Sequence, residues 1–174
     1  MNKGFFKNSS ICSCLLYLVF LGVIDFECRA QKAIQGLPLV TNYSPEQYKA
    51  GIQNWDIIQD NSGFIYAANN LGLLIFDGIS WERYEINNTK VRSIHQGSDD
   101  NIYVGSQGGF GYLNSDQSGQ LVYVSLSDSL PFSERNFDET WKVYEIEDKV
   151  YFCTFRGIYI YDKEKIEVIP SINR

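Results

Sequence analysis

A four-position pattern occurs three times along the chain and restricts its fold more than any other feature. Tyr66, Asn69, Gly72 and Asp77 recur 37 positions on as Tyr103, Ser106, Gly109 and Asn114, and 48 positions further as Tyr151, Thr154, Gly157 and Asp162. Each unit runs from an aromatic to a side chain able to hydrogen-bond, then to a glycine, then to Asp or Asn. A period near 40 residues marks repeat architectures in which one supersecondary unit stacks on the next.

Local chemistry turns the pattern into strands. Aromatic and β-branched residues at Ile65-Tyr66, Ile102-Tyr103-Val104 and Val150-Tyr151-Phe152 suit a half-buried pleated surface. The glycine is expected to supply the positive φ of a tight hairpin. A second strand then follows at Leu73 to Phe76, Phe110 to Leu113 and Ile158 to Tyr161, ended by the Asp or Asn. Trp55 to Gln59, Val91 to Gln96 and Trp141 to Ile146 precede the aromatic strand, and Trp81 to Ile86, Leu121 to Leu126 and Ile166 to Ile169 complete each unit. Helical periodicity is confined to a short turn around Pro45 to Tyr48.

Four short antiparallel strands per unit define an all-β fold of three β-propeller-type blades. A β-sandwich uses similar hairpins, but its strands need not match in register as these units do. Closed propellers typically have four to eight blades, so three make an incomplete ring. The expected divisions are a signal peptide at 1–30, a lead-in at 31–53, blades at 54–90, 91–126 and 141–174, and a charged, Pro131-containing loop at 127–140.

The N-terminus differs from the rest. Lys3 and Lys7 precede an apolar run from Ile11 to Ile24, and small residues at Cys28 and Ala30 precede Gln31, the arrangement of a cleavable secretory signal. The run is short against the roughly 20 residues that span a bilayer, so a retained anchor is the alternative. Export makes the expected location periplasmic or secreted. Cys12, Cys14 and Cys28 fall in that signal, leaving Cys153 in the mature chain as a small core residue with no internal disulfide partner.

A formal charge of −6 without a basic cluster argues against nucleic-acid contacts. Gly105, Gly108, Gly109 and Gly111 miss both phosphate-loop spacings and read as hairpin glycines. His95 is the only histidine, which removes a histidine metal cluster and leaves no placed triad. Asp60, Asp77 and Asp162 read as turn residues, Glu82, Glu85, Glu145 and Glu147 as a solvated strand face, and Asp99-Asp100 lacks a calcium-loop ligand series. No catalytic residue, metal site or cofactor is expected. Trp55, Trp81 and Trp141 are the candidate ligand contacts, since aromatic faces at a propeller mouth can stack on sugars; inter-blade packing is the competing explanation for Trp55 and Trp141.

Gln53-Asn54-Trp55, Asn69-Asn70-Leu71-Gly72-Leu73-Leu74, Phe76-Asp77-Gly78 with Trp81, Val91-Arg92-Ser93-Ile94, Gly109-Phe110-Gly111-Tyr112-Leu113 and Ser125-Leu126 together resemble the start of the two-component regulator propeller proteins. The resemblance runs from about Gly36 to Ile169. It implies a propeller sensor outside the inner membrane, followed in relatives by a triple-tyrosine domain, one membrane crossing, and a histidine kinase or helix-turn-helix output. Only the first of these parts is expected here. The resulting expectation is a periplasmic ligand-sensing segment of a signal-transduction regulator, with a glycan or other small extracellular ligand and further blades or other copies of the chain as partners. A polysaccharide-acting propeller enzyme and a truncated fragment without activity are the alternatives.

Overall fold

A computed structural model describes residues 39–171, apart from 88, 136 and 137. The proposed signal and the start of the family resemblance lie outside the described residues. All the sheets belong to the compact unit that begins at Asn42.

Twelve strands form three four-stranded antiparallel sheets, each strand paired with its neighbour in sequence. Sheet one holds β1 (Asn54–Gln59), β2 (Ile65–Asn69), β3 (Gly72–Phe76) and β4 (Trp81–Tyr84). Sheet two holds β5 (Val91–Gln96), β6 (Ile102–Ser106), β7 (Gly109–Ser115) and β8 (Leu121–Ser125). Sheet three holds β9 (Thr140–Ile146), β10 (Lys149–Thr154), β11 (Gly157–Tyr161) and β12 (Ile166–Pro170). The first strands lie side by side, β1 against β5 and β5 against β9.

Two apolar layers join the sheets. Tyr66, Leu73 and Ile75 of sheet one pack with Val91, Ile94, Val104 and Leu113 of sheet two. Tyr103 and Phe110 of sheet two pack with Val143, Val150, Phe152 and Tyr159 of sheet three, the Phe110 and Phe152 rings stacking at 4.3 Å. Each such side chain contributes about 1.5–3 kcal/mol on full burial. The outer face of sheet one is covered differently. Pro45 opens a one-turn helix α1 (Pro45–Tyr48), the Gln47 side chain accepts from the Ser44 N–H at 2.7 Å, and Tyr48 and Ala50 settle on Ala67, Leu74 and Trp81.

The repeat residues seal the hairpins. Between β2 and β3 the Asn69 carboxamide oxygen accepts from the Leu71 N–H at 2.9 Å; between β10 and β11 the Thr154 hydroxyl accepts from the Gly157 N–H at 3.1 Å. The Ser106 hydroxyl donates to the Gly109 carbonyl at 3.1 Å in sheet two. Asp77 and Asp162 end their strands as expected, accepting from the N–H groups of Ser80 at 2.6 Å and Lys165 at 2.8 Å.

Four expectations are corrected. Asn114 does not end its strand: β7 runs on to Ser115, Asn114 pairs with Val122, and Asp116 takes the turn role by accepting from the Ser118 and Gln120 N–H groups. Of the three repeat glycines only Gly72 has positive φ, at 127°. What Gly72 and Gly157 share is contact with the fourth strand, because a Cβ there would meet the Tyr84 and Ile169 carbonyl oxygens at 2.6 Å. The loop expected over 127–140 stops one residue sooner, because Thr140 is a fully buried β9 residue, and it contains two 3-10 turns, Ser127–Ser129 and Phe132–Glu134. Finally, Glu145 is no solvated strand residue, since it is largely buried and bound by Ser98 and Lys163, and Glu147 lies in a turn at φ 50°.

Candidate functional site at the bulged first strands

Each sheet begins its first strand with the same irregularity. Asn54 pairs with Asn69 and Asp56 with Ala68, which leaves Trp55 as the extra residue of a β-bulge. Val91 pairs with Ser106 and Ser93 with Gly105, leaving Arg92. Thr140 pairs with Thr154 and Lys142 with Cys153, leaving Trp141. A bulge bends its strand and re-aims the surplus side chain. Here three equivalent bulges bring an indole, a guanidinium and an indole together.

The Arg92 guanidinium lies over the Trp55 ring at 4.1 Å from its centroid and over Trp141 at 5.1 Å, and the two indoles meet edge to face at 6.0 Å. Glu139, just before β9, grips Arg92 with both oxygens, at 2.7 Å from Nη2 and 3.1 Å from Nε. The Asn70 carboxamide oxygen ties the group to a hairpin tip, accepting from Trp55 Nε1 at 2.8 Å and Arg92 Nη1 at 3.3 Å. Phe155, at the corresponding hairpin tip of sheet three, meets Trp141 edge to face at 5.5 Å. The charge is buried and neutralised, while the aromatic rim is open: Trp55 is 39% exposed and Phe155 70% exposed. Trp141 Nε1 is buried without a hydrogen-bond partner.

Immediately after each bulge comes a second equivalent row, Asp56, Ser93 and Lys142. Asp56 accepts from the Ser93 hydroxyl, the Ile94 N–H and Lys142 Nζ. These bonds hold the first strands, and with them the bulges, in fixed relation.

The other sequence candidates lie elsewhere. Trp81 is not brought to the bulges; it packs on the outer face of sheet one, stacked on Phe76 at 4.8 Å and flanked by Tyr43 and Tyr48. Tyr66 and Tyr103 are buried, and their hydroxyls donate to the turn carboxylates Asp60 at 3.2 Å and Asp99 at 2.8 Å; burial pushes both phenols up to about 12. Tyr151, their equivalent, is only half-buried on the far face of sheet three. Cys153 lies on that face too, its thiol pushed up by burial.

At the end of the sheets opposite the bulges, Lys163 Nζ reaches Tyr103, Asp99 and Glu145 at 2.8, 2.9 and 3.3 Å. A crevice of about 320 Å³ between Asp60, Asn61, Asp99, Asp100, Leu113 and Asn114 opens at this end as well. Its carboxylates are already hydrogen-bonded: Asp60 accepts from the Ser62 and Phe64 N–H groups, Asp99 from Asn101 and Lys163, and Asp100 from the Asn61 and Gln96 side chains. Among the described residues no His, Cys, Asp and Glu cluster is placed to hold a metal, and no helix is long and apolar enough to cross a membrane.

Arg92 and Glu139 were missed from sequence. The signal for Arg92 was present, because aligning the repeat through Asn54, Val91 and Thr140 places it between the two tryptophans. Glu139 carries no such signal, since it precedes the strand in a segment without an equivalent.

No protein-family model matches the chain, and no curated protein matches it. Solved structures do. The extracellular domain assigned to the hybrid two component system BT3049 of B. thetaiotaomicron is similar at 20% identity and a TM-score of 0.57 over 77% of this chain. That assigned to the one component system BT4673 of the same organism is similar at 20% identity and a TM-score of 0.51 over 67% of the chain. The chain spans 18% and 15% of those two domains. Three consecutive four-stranded antiparallel sheets are therefore a fold that this chain shares with part of two much larger extracellular domains.

Proposed function

We propose that the chain is a ligand-sensing segment of an extracellular signal-transduction regulator whose output domain lies outside these residues. The observation that carries this reading is the fold shared with extracellular domains assigned to two-component and one-component systems. In this reading residues 54–90, 91–126 and 141–174 are propeller blades in the manner of the two-component regulator propeller proteins. The signal is cleaved after Ala30, delivering the segment to the periplasm. Its role is binding and not catalysis, and further blades or other copies of the chain complete the assembly.

The rim of Trp55, Trp141 and Phe155 is where the cue binds, a glycan fragment or another small molecule with an apolar ring face. Aromatic rims over a fixed polar floor are suited to this: the rings supply contact area, and the bonded Arg92–Glu139 pair keeps them from shifting. Intrinsic tryptophan fluorescence titrated with a panel of neutral and acidic oligosaccharides, repeated with Trp55→Ala, tests the reading. A saturable change that Trp55→Ala weakens at least tenfold is expected. Saturable binding unaffected by Trp55→Ala sinks the site, and turnover of any oligosaccharide sinks the non-catalytic role.

A further inference from the structure

The two clefts between neighbouring sheets repeat one polar arrangement at the turn end. Between sheets two and three the Tyr103 hydroxyl donates to Asp99 of its own sheet at 2.8 Å, and Glu145 of the next sheet accepts from the Ser98 N–H and hydroxyl at 2.6 and 2.8 Å. Between sheets one and two the Tyr66 hydroxyl donates to Asp60 at 3.2 Å, and Asp100 of the next sheet accepts from the Asn61 carboxamide at 3.0 Å. Turns of equal length, 60–64 and 97–101, put Asn61 and Ser98 at the same position, as the repeat does for Tyr66 and Tyr103. The carboxylates come from different positions but meet the same partners. Each cleft thus holds a buried phenol and two carboxylates, one from each sheet.

The clefts differ in their cation. In the second, Lys163 of the β11–β12 turn brings its ammonium to Tyr103, Asp99 and Glu145 together. The corresponding β7–β8 turn, 116–120, contains no Lys or Arg and begins two residues later because β7 is longer. Among the described residues neither Asp60 nor Asp100 pairs with a Lys or Arg. The first cleft opens instead into the crevice of about 320 Å³, which Asp60, Tyr66 and Asp100 line.

We propose that this crevice binds a small primary amine carrying hydroxyl groups, its ammonium bound as the Lys163 ammonium is bound in the neighbouring cleft. Asp60 Oδ2 receives only the Tyr66 hydroxyl, and Asp100 Oδ2 receives no bond from the described residues, so both can accept from it. The Tyr66 oxygen keeps a lone pair for the bond that Tyr103 accepts from Lys163. Ile102, Leu113 and Leu121 supply an apolar wall for the carbon skeleton, and Ser62, Asn114 and Ser115 line the crevice with side chains suited to hydroxyls. The volume lies at the lower end of ligand pockets, about 300–1,000 Å³, which limits the ligand to a small molecule. Both walls are strands and turns of sheets one and two, so the site needs neither a further sheet nor the sensing role proposed above.

Calorimetry of the purified chain with glucosamine and with glucose, which differ in the amino group, tests the proposal. The titrations are run at about pH 6, below the usual range of amines, with circular dichroism confirming that each variant is folded. Saturable binding of glucosamine is expected, with glucose at least tenfold weaker. Asp100→Asn, in an exposed turn, and Tyr66→Phe should each weaken glucosamine at least tenfold, since each removes a bond to a charged group. Asp138→Asn makes the same charge change at the bulge end, where the Asp138 carbonyl accepts from the Gly108 N–H, and should leave binding unchanged. Absence of saturable glucosamine binding overturns the proposal, as does glucose binding equally well, or binding that Trp55→Ala or Asp138→Asn weakens as much as Asp100→Asn.

Discussion

The carboxylate of Asp56, on the first strand of sheet one, accepts a hydrogen bond from the Ser93 hydroxyl of sheet two at 3.1 Å. The Ser93 oxygen in turn accepts from the Val143 N–H of sheet three at 3.0 Å, so two short side chains connect all three sheets at their inner edge. Ser93 is fully buried, and a buried donor or acceptor left unmade costs about 1–3 kcal/mol. Apolar layers can slide; a polar relay of fixed length cannot, and this one sets the sheets' relative height.

Asp56→Ala strips partners from Ser93, from the Ile94 N–H and from Lys142 together. A loss of about 2–4 kcal/mol in urea denaturation is expected, from more than one orphaned group at about 1–3 kcal/mol each. Asp56→Asn keeps an acceptor and should lose less than half as much. Equal losses in the two variants would mean that charge, and not hydrogen bonding, is what Asp56 supplies.

Gly72 and Gly157 stand at equivalent positions but for different reasons, and their variants separate the two. A side chain at Gly157 meets the Ile169 carbonyl oxygen and the Pro170 Cα, whereas at Gly72 it meets the Tyr84 carbonyl oxygen and must also adopt φ 127°. Both Gly→Ala changes should destabilise, Gly72→Ala by about 1 kcal/mol more because left-handed backbone adds its own cost to the close approach. Melting temperatures that rank them the other way would remove the conformational argument.

The Arg92–Glu139 pair is buried, so its two ends are not equivalent to neutral replacements. Glu139→Gln leaves a guanidinium desolvated between two indoles, with an expected cost of about 3–5 kcal/mol. Arg92→Met with Glu139→Gln removes both charges and should recover much of that loss. Tryptophan emission, which reports the packing of Trp55 and Trp141, should shift in the single variant and return toward the parent in the double. A double variant as unstable as the single would show that the aromatic stack itself requires the cation.

How far sequence could reach is set by where the information lies. Strand positions follow from local residues, and Val91–Gln96 is found as expected, because aromatic and β-branched patterning acts through the pleat itself. The hairpin role of Asn69, Ser106 and Thr154 is equally local. Asn114 failed because β7 is two residues longer than β3 and β11, a difference that aligned spacing conceals. The bulges were invisible for another reason. An unpaired residue is defined by the register of its neighbour strand, so Trp55 and Trp141 could be singled out as aromatics, but their union through Arg92 could not.

The Lys163 cluster gives the fold a pH signature at the end opposite the bulges. Burial raises Asp99 and Glu145, but bonds outweigh it: Lys163, Tyr103 and Asn101 donate to Asp99, and Ser98 and Lys163 to Glu145, leaving both carboxyls below their ordinary values. Groups held low in the folded state lend stability that is present above their unfolded values, near 4, and is lost as pH falls through the folded ones. Lys163 runs the other way. Burial lowers it, yet the bonds to Tyr103 and Asp99 raise it above its ordinary value, and Tyr103 is itself pushed up to about 12 by burial. Those contributions are complete below the unfolded values, near 10, and are lost as pH rises through the folded ones. Stability should therefore be level from about pH 5 to about pH 10 and fall on both sides. Lys163→Met removes the shared cation, so its denaturation midpoint should be lower on the plateau and less steep on the acid limb. Midpoints recorded from pH 2.5 to pH 10.5 for both proteins decide the matter. Parallel acid limbs would show that Asp99 and Glu145 owe their low values to their other donors, Tyr103 and Asn101 for Asp99 and Ser98 for Glu145, and not to Lys163.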